Sequence, residues 1–209
     1  VREQGRSGAV DWAVAGRPMP GQSVSGDDWA VLDAGGDVVL LGVIDGLGHG
    51  ADAAAAAHRA HQVLSCNPTE PLDELITLCH RALLGTRGAA ITLVRLDVAA
   101  GSLSWLGVGN VAAILIGVSA TGSAAPRASG LSVGGIVGYR LPPGQQPATV
   151  PLEVGDLLVL ASDGIADRHL TESGVAGPVD RIAGDLLDRY AKASDDAVVL
   201  LARYRGVRR

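Results

Sequence analysis

Val38-Val39-Leu40-Leu41-Gly42-Val43-Ile44-Asp45-Gly46-Leu47-Gly48-His49-Gly50 is the stretch on which the fold turns. Its first seven positions carry no polar side chain and no alternation, which is the pattern of a strand buried on both faces. The run stops abruptly at Asp45 and Gly46. On its N-terminal side, Trp29 to Asp33 is a second β-rich run, and the intervening Ala34-Gly35-Gly36-Asp37 predicts a hairpin turn. On its C-terminal side, the Ala-rich segment from Ala51 to Leu64 reads as a helix by propensity. Pro71 to Leu84 reads as another, with Leu72, Leu75, Ile76, Cys79 and Leu83 on one face.

Further along, Ala89 to Val98, Leu103 to Gly107 and Val111 to Val118 are strand-like runs separated by turn residues. They predict an antiparallel meander. Residues 119–150 are rich in Gly, Ser and Pro and read as a long loop with short strands near Leu131 to Val133 and Ala148 to Leu152. Leu157 to Ala161 is another buried strand, Val179 to Ala191 an amphipathic helix, and Ala197 to Tyr204 a closing strand. Upstream, Asp11 to Arg17 is patterned and the Pro- and Gly-bearing residues 18–26 form a loop. Strand runs interrupted by a helix pair, without regular βαβ alternation, predict an α+β fold of two largely antiparallel sheets with helices outside.

Length and composition agree with one domain. The chain has 209 residues, of which 47% are hydrophobic and 19% charged, which excludes a disordered polypeptide. The boundaries are set at 8–206, with 1–7 and 207–209 as flexible ends. Phe is absent and aromatics make up 3%, so the core must be aliphatic and stacking platforms for nucleic-acid bases are scarce. A net charge of -5 also argues against nucleic acid, and the basic residues 203–209 read as a solvated tail. No apolar run approaches the roughly 18 residues of a membrane span, and no signal peptide is visible, so a cytoplasmic protein is expected. Cys66 and Cys79 lack metal-type spacing and read as ordinary thiols. The chain opens on Val rather than Met, which predicts a domain cut from a longer polypeptide, behind a kinase-like ATPase or sensory region.

The acidic residues sit where strands stop or start. Asp45 follows the first buried strand and Asp163-Gly164 follows the second. Asp195-Asp196 precede the closing strand, and Asp27-Asp28 precede the first strand of the hairpin. Carboxylates beside buried strands cost free energy unless they are paired with cations or hydrogen-bonded. Two readings stay open from the residues themselves: four unrelated turn or cap aspartates, or a metal site. All available ligands are oxygens, including the carbonyl of Gly46, which suits Mg²⁺ or Mn²⁺ rather than Zn²⁺ or copper.

In order, Ser25-Gly26-Asp27, Asp45-Gly46-Leu47-Gly48-His49-Gly50, Ser162-Asp163-Gly164-Ile165 and Asp195-Asp196 resemble the metal-dependent serine/threonine protein phosphatases of the SpoIIE branch. Within that branch, Thr86-Arg87-Gly88-Ala89 and Val108-Gly109-Asn110-Val111 are similar to the RsbX type, the small phosphatases that reset the bacterial stressosome. The resemblance implies a four-layer αββα sandwich with two Mn²⁺ or Mg²⁺ ions at one end. It implies that Asp45 bridges both ions, Gly46 offers its carbonyl and Asp27 completes the first shell, directly or through water, while Asp163 and Asp195 hold the second ion. Asp45 and Asp163 are the candidate catalytic residues. The implied partner is a phosphorylated regulatory protein of the stressosome or STAS type. Larger relatives place a histidine directly after the AspGly pair, where this chain has Leu47, and commonly a threonine at the position of Val198. His49 reads as an exposed or cap-adjacent residue, and His58, His61, His80 and His169 as helix or loop residues. No motif places a phosphate-binding arginine, for which Arg17 and Arg87 are guesses. The competing class is a non-catalytic module that keeps the sandwich to bind a partner.

Overall fold

A computed structural model describes residues 1–118, 124–130, 132–166 and 175–206. The hairpin forms as expected, from β3 (Asp27–Asp33) and β4 (Val38–Gly46). Along β4 the side chains part alternately to two faces. Leu40 and Ile44 pack against α1 (Ala51–Cys66) and α2 (Leu72–Leu83), whereas Val39, Leu41 and Val43 enter the space between the sheets. A strand with hydrophobic layers on both sides has no position left for a polar residue, which is why its sequence shows no alternation.

Two six-stranded sheets stack face to face. One has the order β1-β2-β12-β11-β7-β8, built from β1 (Arg2–Ser7), β2 (Val10–Arg17), β12 (Ala197–Tyr204), β11 (Leu157–Ala161), β7 (Ala112–Val118) and β8 (Ala124–Ser129). The other runs β10-β6-β5-β4-β3, with β10 (Ala148–Pro151), β6 (Ser102–Val108) and β5 (Ala89–Asp97), and β9 (Ser132–Val133) adds parallel to the end of β6. Every other ladder is antiparallel. Helices α1 and α2 cover one outer face, and α3 (Val179–Tyr190) covers the other through Ile182 and Leu186. The result is the αββα sandwich.

The core is aliphatic. Leu158, Leu160 and Leu200 meet Leu41, Val43 and Val94 between the sheets, where Trp105 is also buried. Trp12 and Trp29 add a tilted ring pair with centroids 5.7 Å apart. Ala53, Ala56, Ala57 and Ala60 form the buried stripe of α1, and α2 buries Leu72, Leu75, Ile76, Cys79 and Leu83. Cys66 is exposed and Cys79 buried, both as free thiols. Among the described residues no helix is long and apolar enough to cross a membrane.

Three expectations need correction. The meander stops at β6: β7 crosses to the opposite sheet and pairs with β11 and β8. The free edge of β6 is occupied by β10 and β9, and the Gly109 amide is tied to the Val133 carbonyl, so the chain cannot double back. Within the region read as a long loop, β8 is a strand of its own, and Pro126 is tolerated there because β8 lies at a sheet edge. Residues 2–7, expected as a flexible end, form β1, which pairs along its whole length with β2; residues 207–209 lie outside the described residues. β1 is polar and mostly exposed, so no hydrophobic period marks it.

Charge rather than apolar burial pins that margin. Asp11 on β2 accepts from Arg6 Nε at 2.6 Å and from Arg205 Nε at 2.6 Å, which joins β1 to the segment after β12. The Arg6 hydrogen bond, helped by Arg205, holds the Asp11 carboxyl below the usual carboxylate range. A lowered folded value means that the contribution is in place above the unfolded value of about 4 and is lost as pH falls through the folded one. Both arginines are largely exposed, so Asp11→Asn is expected to lower stability by only about 1 kcal/mol near neutral pH. That loss should fade below about pH 4, as urea unfolding midpoints measured at both pH values would report.

Candidate metal centre

The strand ends bring the acidic residues together. Asp27, at the start of β3, stands directly opposite Asp45, at the end of β4. Asp163 follows β11, and Asp195 precedes the neighbouring β12, so these two arrive from the other sheet. Ser162 joins the sets: its Oγ donates to Asp27 Oδ2 at 2.7 Å and accepts from the Val198 amide at 3.0 Å. The carboxylates therefore collect at the junction of the two sheets.

Burial and like charge act on them together. Burial, then Asp45, raises the Asp27 carboxyl well above its ordinary value, with Asp195 and Asp196 adding to the effect. Burial, then Asp163, Asp195 and Asp196, pushes Asp45 up to about 7. Asp163 is also raised, by burial and by Asp195, against the opposing influence of Lys192 and an Asn110 hydrogen bond. Each shift says that the ionised form lacks a compensating charge.

The paired aspartates take different environments. Asp196 is buried and accepts from the amides of Met19 at 2.7 Å and Gly26 at 2.8 Å, so its carboxylate clamps the loop preceding β3. Asp195 is half-buried and accepts from the amide of Asp196 at 2.9 Å. Asp28 turns toward α1, where His61 Nδ1 lies 3.4 Å away, and accepts from the Trp29 amide. Asp27 rather than Asp28 stands opposite Asp45, and of the second pair Asp195 acts on Asp163 while both members act on Asp27 and Asp45.

Two glycines permit this convergence. A Cβ on Gly164 would lie 1.7 Å from the Asp196 carbonyl oxygen, and one on Gly46 would lie 2.3 Å from the carbonyl oxygen of Ala53. Backbone stands where a side chain would be, so the loops carrying Asp45 and Asp163 close only with glycine at both positions. Gly46 also donates its amide to the Gly26 carbonyl at 3.1 Å, which locks the Asp27 and Asp45 segments together.

Several neighbours had no role assigned from sequence. Asn110 Nδ2 donates to Asp163 Oδ2 at 2.5 Å, from the crossing between β6 and β7. Lys192 Nζ donates to the Asp163 carbonyl at 2.5 Å, and Arg17 donates to the carbonyls of Lys192 and Pro18. Asn110 shares with the aspartates a position just past a strand end, which is the signal that could have found it. Lys192 has no such mark. Arg87 bonds Asp52 at 3.0 Å, His49 is exposed and Leu47 is half-buried. His80 Nδ1 accepts from the Gly138 amide at 2.9 Å, a structural use, and His169 lies outside the described residues.

The donor set fits hard divalent cations. It consists of oxygens, it carries uncompensated negative charge, and Lys192, which acts on Asp163, bonds a backbone carbonyl rather than a carboxylate. The side chains are neighbours and not a closed cage: among the described residues no group of three or more His, Cys, Asp or Glu is gathered tightly enough to hold an ion.

A family model described as Stage II sporulation protein E (SpoIIE) matches residues 35–205. A solved structure described as "The bacterial stressosome: a modular system that has been adapted to control secondary messenger signaling" is 30% identical, with a TM-score of 0.79 over 93% of this chain and 99% of that one. RsbX in complex with magnesium superposes with a TM-score of 0.80 at 21% identity, over 97% of this chain and 99% of that one. The catalytic domain of the serine threonine protein phosphatase PstP, in complex with two manganese ions, gives 0.65 at 15% identity, over 93% and 97%. The last two likenesses are of fold. Comparison with curated protein sequences yields no match.

If mutual repulsion dominates the carboxylates, removing one charge must relieve it. In EDTA, Asp45→Asn is expected to raise unfolding free energy by about 2 kcal/mol, read by urea titration at pH 7.5. A variant less stable than the parent would show that Asp45 is held by compensating contacts instead.

Proposed function

Because this chain belongs to the SpoIIE family, we propose that it is a cytoplasmic, Mn²⁺- or Mg²⁺-dependent serine/threonine phosphoprotein phosphatase. Its proposed substrate is a phosphorylated bacterial regulatory protein of the stressosome or STAS type. The observation that carries the reading is the set of Asp27, Asp45 and Asp163 carboxyls, each raised by burial and by a neighbouring carboxylate where the two sheets meet.

In this reading Asp27, Asp45 and the Gly46 carbonyl would hold one ion, and Asp163 and Asp195, together with Asp45, would hold a second. Bound there, the ions supply Lewis-acid charge that acidifies water and offsets the phosphoryl oxygens during in-line displacement. The chain's own contribution is orientation. Ser162 fixes which oxygen of Asp27 faces inward, Asn110 does the same for Asp163, and Asp196 holds the loop that delivers Asp27. Lys192 places a positive charge at the rim on the Asp163 side. No side chain in the set is required as a covalent nucleophile.

The test is phosphate release from p-nitrophenyl phosphate and from phosphoserine peptides during Mn²⁺ titration. Asp45→Asn and Asp163→Asn are each expected to cut turnover by more than about 100-fold while circular dichroism stays that of the parent. Unchanged turnover would remove the metal-centre mechanism, and phosphopeptide binding without turnover by the parent would favour the non-catalytic module.

Ser162→Ala removes no ligand but frees Asp27. The Mn²⁺ concentration for half-maximal activity is expected to rise about 10- to 100-fold with maximal turnover less affected. An unchanged metal requirement would mean that Ser162 serves only the sheet junction.

A further inference from the structure

Beside the carboxylates, the exposed side of α1 borders a groove of about 700 Å³, lined by His58, Arg59 and Gln62 from α1 and by Thr86 and Arg87 from the segment before β5. Its wall is joined to the loop that follows Asp45 and Gly46. Arg87 Nη2 bonds Asp52 Oδ2 at 3.0 Å, and its Nη1 lies 2.8 Å from where a Cβ on Gly48 would stand, in the loop that leaves Asp45 and Gly46. The Leu47 amide in that loop donates to the Gly88 carbonyl at 3.0 Å, so loop and groove wall are one hydrogen-bonded unit.

The fixed charges of the groove are two guanidiniums and one carboxylate, a net positive wall on a chain of net charge -5. Arg59 is exposed and has no ion-pair partner among the described residues. Arg87 keeps donors beyond the one that bonds Asp52. Near the end of α2, Leu84 and Tyr139 are 59% and 79% exposed; they are the chain neighbours of Leu83 and Gly138, which pack on each other. Two large apolar side chains in water beside a cationic groove describe a surface suited to a polypeptide rather than to a small phosphoester.

We propose that this groove docks an acidic segment of the phosphoprotein substrate, placed beside the phosphorylated residue as that residue enters the carboxylate centre. The inference rests on the phosphatase reading above and adds to it the chemistry by which a substrate is chosen. An acidic partner is repelled by the molecule as a whole and by the aspartates, so its productive approach depends on local cations that hold register. Asp52 to Gln62 spans about 15 Å of helix, which accommodates four to five residues of extended peptide at ~3.3 Å each. Selection therefore acts on the four or five positions to one side of the phosphoresidue.

The experiment uses three probes with Mn²⁺ present: p-nitrophenyl phosphate and two phosphoserine peptides that differ only in carrying acidic or neutral flanks. The parent is expected to favour the acidic peptide by about 10-fold or more in kcat/KM, with the preference shrinking as salt rises. Arg59→Glu is expected to raise KM for the acidic peptide about 10-fold and erase the preference, with p-nitrophenyl phosphate turnover and melting temperature unchanged. Equal use of both peptides by the parent, or equal loss on both in Arg59→Glu, overturns the proposal. If the parent turns over none of the three, the phosphatase reading fails, and fluorescence anisotropy with the labelled acidic phosphopeptide reads the groove alone. Binding weakened about 10-fold by Arg59→Glu then sustains docking, whereas no binding, or binding indifferent to Arg59, ends it.

Discussion

The hydroxyl of Ser162 is the contact on which the charged end of this molecule depends. It is buried at the end of β11, donates to Asp27 across the gap between the sheets and accepts from Val198 on the adjacent strand. Without it, a buried carboxylate would face its neighbours with one hydrogen bond fewer, and an unmet buried acceptor costs about 1–3 kcal/mol. Two backbone approaches reinforce the junction. Gly164 lies against the carbonyl of Asp196, and Gly46 against those of Ala53 and Gly26. The loops cannot separate independently, since Asp196 also ties the segment preceding β3 to the strand that carries it. The repulsion collected here is carried by three aliphatic layers, one between the sheets and one under the helices on each side.

What could be read from the residues alone follows from where information is local. The strands β4, β11 and β12 were legible because each is buried on both faces, and burial leaves only apolar side chains. Helix α2 was legible because five apolar residues repeat at helical spacing. The destination of β7 was not, because its run pairs as well with β11 as it would with β6, and the decision lies in which edge is already occupied. β1 and β8 escaped for a related reason: edge strands with polar or small residues owe their order to the neighbour that recruits them.

The same distinction holds at the carboxylate cluster. Aspartates at strand ends stand out because ionised groups beside buried strands need a reason to be there. Their pairing in sequence hid how differently the two members of each pair are placed. Only the folded chain shows that Asp196 spends its oxygens on two amides while Asp27 is held by a serine from the other sheet. Asn110 shares the aspartates' place just past a strand end, but Lys192 carries no local mark, and the contacts of both with Asp163 emerge only when the β6–β7 crossing and the turn before β12 meet it.

The cations near the centre complete an electrostatic pattern that the net charge conceals. Arg17 donates to the carbonyls of Pro18 and Lys192, and Lys192 to that of Asp163. A carbonyl oxygen orients an ammonium or guanidinium without cancelling its charge, so these side chains are held in place and stay positive. Arg87, although bonded to Asp52, extends the same rim along the loop after Gly46. Positioned cations therefore stand beside the converging carboxylates. On the phosphatase reading, a phosphorylated chain approaching to within the screening length of roughly 8–10 Å would meet these cations as well as the carboxylates. The same reading would reconcile an acidic protein and an acidic centre with an anionic substrate: the long-range charge is unfavourable, the local cations oppose it, and the carboxylates would be left to hold divalent ions.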